Sequence, residues 1–139
     1  MKNTTKFIKI TTTHSKNQLE ALMFDMSNVE VETLVKTYKK FKYVEFANEV
    51  GNECMYAVIH ENYIPELLEI YVSLSLNFVY EDMSKEALYS SVITDNEDVA
   101  SMLEIFINEN LDIDTVLDKI LDLGRESLTD KDILVLTNV

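Results

Sequence analysis

The chain has 139 residues, 47% of them apolar, with two Gly, one Pro, one Cys and a formal net charge of −13. That length suits a single domain burying about two-thirds of its unfolded surface, and no run approaches the roughly 20 apolar residues of a bilayer span. A lone Cys54 excludes an internal disulfide, and MKNTTKFIKI lacks the apolar block of a secretory leader, so a cytoplasmic protein is expected.

The charge is unevenly placed. Residues 1–43 carry eight Lys and four acids, net +4, whereas residues 44–139 carry a net −17. An acidic balance of this size confers solubility and repels nucleic acid and anionic membrane, and it suits a basic protein partner.

In chain order, Lys6–Thr13 alternates Ile8, Ile10 and Thr12 against Phe7, Lys9 and Thr11, which predicts a strand. Ser15-x-x-Gln18 is a capping box that opens a helix with Leu19, Leu22, Met23 and Met26 on one face. Ser27-x-x-Glu30 opens a second, carrying Val31, Leu34, Val35 and Tyr38, with Lys36, Lys39 and Lys40 toward its negative pole. Phe41–Ala47 and Cys54–His60 are strand-length runs, and Gly51-Asn52 between them predicts a hairpin with a longer loop.

The period then becomes helical, with Ile64, Leu67, Leu68 and Tyr71 on one face, Asn62 as cap and Pro65 in the first turn. Leu76–Asp82 alternates again. Ser84 opens a short helix through Tyr89, and Ser90–Asn96 is the expected connection. Three helices follow: Glu97–Asn108 with Val99, Met102, Leu103, Phe106 and Ile107 on one side; one capped by Asp114 carrying Leu117, Ile120 and Leu121, stopped by a left-handed Gly124; and one capped by Thr129 with Ile133, Leu134 and Leu136.

This order predicts an α+β fold, a ferredoxin-like four-stranded antiparallel sheet with an extra helix before the second strand. Residues 1–92 form that part, and residues 93–139 form an acidic C-terminal helical extension packed on it, covering the second sheet face or meeting a partner.

No catalytic or nucleotide-binding motif is present. Thr12, Thr13, His14, Ser15 and Lys16 form the best candidate ligand site, because a strand-to-helix junction offers free N–H groups and the helix dipole to a small anion. It lacks the glycines of a P-loop. His14 and His60 end strands expected to run antiparallel, so the two imidazoles should lie apart. Cys54 has no Cys-x-x-Cys partner and suits a small apolar filler. Asp95-Asn96-Glu97-Asp98 and Asp112-x-Asp114-x3-Asp118 lack the glycine and glutamate of a calcium loop, so no metal or cofactor is expected. Lys36, Lys39, Lys40 and Lys42 interleave with Tyr38, Phe41 and Tyr43, but the net charge opposes a polyanion, and Lys42 suits an edge strand.

Two stretches carry a resemblance. FIKITTTHSKNQLEALM and YAVIHENYIPELLEIY, within residues 6–72, resemble small bacterial signal-transducing domains, although Pro65 sits further into the helix than that pattern places it. VLDKILDLGRESLTDKDILVL resembles a short helix-turn-helix tail of assorted bacterial proteins. The resemblance implies a bacterial domain, non-enzymatic or of unassigned function, and brings no catalytic residues.

The expected function is a non-catalytic interaction or regulatory domain, with a homodimer compatible with that reading. Its specific form is an acidic inhibitor or immunity-type protein masking a basic partner through Asp112, Asp114, Asp118 and Asp122. The alternative from another class is an anion-binding regulatory domain or modest enzyme using Thr12–Lys16.

Overall fold

A computed structural model describes residues 4–89, 92 and 94–137. The chain divides into two compact units, Met1–Met83 and Ser84–Val139. Among the described residues there are four strands, all in the first unit, and seven α-helices, so the protein is α+β.

The first unit contains β1 (Thr5–Thr12), α1 (Lys16–Phe24), α2 (Asn28–Tyr38), β2 (Lys42–Ala47), β3 (Glu53–His60), α3 (Ile64–Ser73) and β4 (Phe78–Asp82). The strands form one sheet in the order β2-β3-β1-β4, and every neighbouring pair is antiparallel. β1 and β2 therefore run in the same direction with β3 between them, and β3 and β4 do so with β1 between them. Helical segments join each of these same-direction pairs, since a tight turn cannot join strands that run in the same direction.

Register follows from the alternation. Ile8 pairs with Ala57 and Ile10 with Met55 across β1–β3, while Ile10 pairs with Tyr80 across β1–β4. That puts Ile8, Ile10, Met55, Ala57 and Ile59 on one face, where Leu67 and Tyr71 of α3 bury themselves. Leu67 and Tyr71 are four apart, one turn along the helix face predicted from the sequence. Tyr38, Phe41, Leu76, Phe78 and Tyr80 pack around this centre. α2 is tied to α3 by a polar contact, in which the fully buried Thr37 Oγ1 lies 2.9 Å from Glu66 Oε1 and Lys40 Nζ lies 3.0 Å from the same carboxylate.

Both predicted capping boxes are present, at Ser15/Gln18 and Ser27/Glu30. Gly51 has φ +85° at the β2–β3 turn, and the Asn48 side chain accepts the N–H groups of Val50 and Asn52 there. Lys42 is exposed on β2, an edge strand. Four local expectations change. Val35, placed on the packed face of α2, is 42% exposed. Met23, assigned to the packed face of α1, is exposed. The cap assigned to Asn62 is made by His60, whose Nδ1 accepts the Asn62 N–H, and α3 begins without a side-chain cap. β4 starts at Phe78 because Leu76 and Asn77 still belong to the turn, although Leu76 packs inward as expected.

The second unit is helical among its described residues: α4 (Ser84–Leu88), α5 (Glu97–Asn110), α6 (Ile113–Leu123) and α7 (Asp130–Thr137). Of the connection expected over Ser90–Asn96, Ser90, Ser91 and Ile93 lie outside the described residues, and Asn96 caps α5. α5 buries Val99, Met102, Phe106 and Ile107, its predicted face.

α6 departs from expectation. Its cap is Asp112 instead of Asp114, because one Asp112 oxygen accepts both the N–H and the hydroxyl of Thr115 at 2.8 Å. Gly124 has the positive φ of +84° but an extended ψ of 170°, so the chain leaves the helix without a left-handed turn. Its buried residues are Val116 and Lys119, while Leu117 and Leu121 are 47% and 84% exposed. Lys119 Nζ donates to Asp132 Oδ2 at 2.7 Å with both side chains 1% exposed, and Asp132 also accepts the Thr129 N–H at 2.9 Å. On α7, Asp132 is accordingly the buried residue, and Ile133 and Leu134 face solvent.

Burial opposes ionisation of Asp132, but the hydrogen bonds from Lys119 and the Thr129 N–H outweigh it and hold the carboxyl below its ordinary 3.8. Removing the carboxylate with Asp132→Ala should destabilise the second unit by about 3–5 kcal/mol, since an unpaired buried ammonium remains. Lost amide protection along α6 and α7 would report it. A group with a depressed folded-state pKa contributes fully above its unfolded-state value and loses that contribution as pH falls through the folded-state value. The stability gap between the native chain and Asp132→Asn should therefore hold at neutral pH and close only below about pH 4.

Candidate functional site

The Thr12–Lys16 junction is built from three strands. Thr12 is buried at the end of β1, and its Oγ1 lies 3.1 Å from the Glu53 carbonyl and 3.2 Å from that of His14, while accepting the His14 N–H. The His14 carbonyl accepts the Glu53 N–H at 2.8 Å, and His14 Nε2 accepts the Asn77 N–H at 3.3 Å. Thr13 N–H donates to the Asn77 carbonyl. Ser15 and Gln18 satisfy each other's backbone at the start of α1.

The five residues are thus brought together as the sequence placed them. The Thr12 hydroxyl and His14 Nε2 are engaged in closing the end of the sheet, Ser15 caps α1, and Thr13 and Lys16 are exposed. His60 lies at the other end of the β1–β3 pair, its Nε2 bonded to Thr4 Oγ1, so the two imidazoles do not meet. Cys54 is buried on β3, where loss of solvent pushes its thiol pKa up and keeps it protonated. Among the described residues no group of three or more His, Cys, Asp or Glu is disposed to hold a metal ion.

In the lysine–aromatic stretch, the rings cluster and one lysine is paired, while Lys36, Lys39, Lys42 and Tyr43 are exposed. Tyr38, Phe41 and Tyr43 pack on one another with ring centroids 5.2–5.7 Å apart, and Lys40 is held by Glu66. No helix among the described residues is long and apolar enough to cross a membrane.

The four aspartates separate by role. Asp112 caps α6, and the Thr115 N–H lowers its pKa. Asp114, Asp118 and Asp122 recur every four residues and so share one exposed stripe of that helix. Asp118 and Asp122 face a groove of about 310 Å³ between α6 and the α4 segment, with Leu121 on one wall and Lys85, Leu88 and Tyr89 on the other. Tyr89 Oη donates to Asp122 Oδ2 at 2.9 Å, and Lys85 Nζ lies 3.5 Å from the same oxygen. Lys85 Nζ also sits 5.4 Å from the Tyr89 ring centroid. Burial, with the Asp122 carboxylate adding to it, pushes the Tyr89 hydroxyl up to about 12, so it remains a donor at neutral pH.

Lys85, Leu88, Tyr89 and Leu121 were not singled out from the sequence. A signal was present in α6, whose apolar positions Ile113, Val116, Leu117, Ile120, Leu121 and Leu123 make a stripe wider than one packed face requires. Compared with known proteins, the chain matches no family model, no curated protein and no solved structure.

Thr12 gives the direct test of what the junction does for the fold. Thr12→Val keeps the shape but leaves the His14 N–H without its acceptor. A loss of about 1–3 kcal/mol is expected, read from the urea midpoint of the first unit.

Proposed function

We propose that this is a non-catalytic cytoplasmic protein-interaction module whose acidic helical unit masks a basic partner. The first unit, on this reading, is a ferredoxin-like scaffold. Two same-direction strand pairs, each linked by helix and split by a strand of the other, support that assignment.

The observation that carries the functional reading is the composition of the exposed side of α6. Residues 84–139 hold 13 acids against four basic residues, and the exposed Leu117 and Leu121 stand beside Asp118 and Asp122 on that helix. Exposed carboxylates around exposed leucines complement a partner surface that is basic and locally apolar. The charge steers encounter, and the apolar contact slows release. The anion-binding alternative has less support, because the Thr12 hydroxyl and His14 Nε2 are engaged by the fold.

The full chain used as bait should retain basic proteins at low salt and release them when the Debye length falls to about 3 Å near 1 M. A variant with Asp112, Asp114, Asp118 and Asp122 all changed to Asn should lose them; Asn is as good a helix cap as Asp, so the fold is spared. Retention unchanged in that variant overturns the reading. A melting temperature raised by inorganic phosphate, and restored to baseline by His14→Ala with Lys16→Ala, would replace it with the ligand-binding alternative.

A further inference from the structure

The α4–α6 groove already holds a cation of its own. Lys85 places its ammonium over the face of Tyr89, 5.4 Å from the ring centroid, and 3.5 Å from Asp122 Oδ2. Its side chain is 68% exposed, so the pair is solvated and weakly held. The surroundings are more than one lysine needs. Asp118 stands one turn before Asp122 on the same side of α6, Tyr89 Oη pins Asp122 in place, and Leu88 and Leu121 supply apolar walls. A space of about 310 Å³ is at the small end of ligand clefts, the scale of a side chain or two.

We propose that this groove is an arginine-recognition site for the basic partner, with Lys85 keeping the place that the partner's guanidinium takes. The inference rests on the acidic-unit reading above and names the chemistry of its contact. A planar guanidinium stacks on an aromatic ring and presents several donors in one plane, so it meets Tyr89 and the two carboxylates at once, which a point-like ammonium does not. Its aliphatic stem, with an apolar residue of the partner one helical turn away, covers Leu121, the most exposed side of the groove.

The test uses the full chain and a labelled helical peptide with Leu and Arg four residues apart, followed by fluorescence anisotropy at low ionic strength. Lys85→Ala removes the resident cation and should tighten binding by about two- to fivefold, the scale of one exposed ion pair. Lys131→Ala is the control: it makes the same change in net charge in the same unit, where Lys131 pairs with Glu104, and should leave affinity unchanged. Asp122→Asn should weaken binding at least tenfold, on the scale of charged hydrogen bonds, and Arg→Lys in the peptide should weaken it too. Equal effects of Lys85→Ala and Lys131→Ala with the peptide still bound overturn the groove and leave the acidic-partner reading intact. No binding to either the native chain or Lys85→Ala overturns both.

Discussion

A lysine ammonium and an aspartate carboxylate, both withdrawn from water, fix the geometry of the helical unit. Lys119 and Asp132 could not be buried separately, because each alone would carry the desolvation cost of an ion without its counter-charge. Held 2.7 Å apart, they require the middle of α6 to face the start of α7. α6 is therefore rolled toward Lys119, and the rest of its surface follows. Val116 goes fully inside, Ile120 is half-buried, and Leu117 and Leu121 are carried round to the outside. The exposed leucines beside Asp118 and Asp122 are thus a consequence of where the ion pair sits.

The same pair shows why a count of acids says little about a surface. Asp132 serves Lys119 and the first turn of α7 together, Asp112 accepts the Thr115 N–H, and Glu30 accepts the Ser27 N–H at helix starts. These carboxylates are committed to local structure, and their pKa values are lowered by it. Asp114 and Asp118 are exposed on α6, and Asp122 is held by a tyrosine hydroxyl and a solvated lysine. Net charge sets the long-range field, while the division between committed and available carboxylates decides where a cation can be received.

What the sequence made legible was local or strictly periodic. The alternation in β1 and β4, the four-residue spacing of Leu67 and Tyr71, both Ser capping boxes and the turn at Gly51 are each decided within a few residues, and all are seen. The inward turn of Lys119 on α6 was not legible, because a lysine in a helix is ordinarily solvated, and its buried partner lies 13 residues away on another helix. The cap moved from Asp114 to Asp112 for a related reason: Thr115 offers both a backbone and a hydroxyl donor to the earlier residue, a geometry that composition alone does not rank. Lys85 and Tyr89 were not legible as partners because their common contact, Asp122, is more than 30 positions distant.

The two candidate regions differ in how completely their polar atoms are used. At the end of β1, the Thr12 hydroxyl, His14 Nε2 and the backbone of Thr13 and His14 bond to one another and to Glu53 and Asn77, and a ligand taking those groups must first break these bonds. In the groove, Asp122 is positioned by one firm hydrogen bond from Tyr89, and its other contact, to Lys85, is long and wet. Exchanging that contact for a guanidinium would disturb no buried group and would cover apolar surface now facing water. On the proposed reading, a fixed acceptor, an aromatic face and a displaceable internal cation would leave little reorganisation between the free and occupied forms.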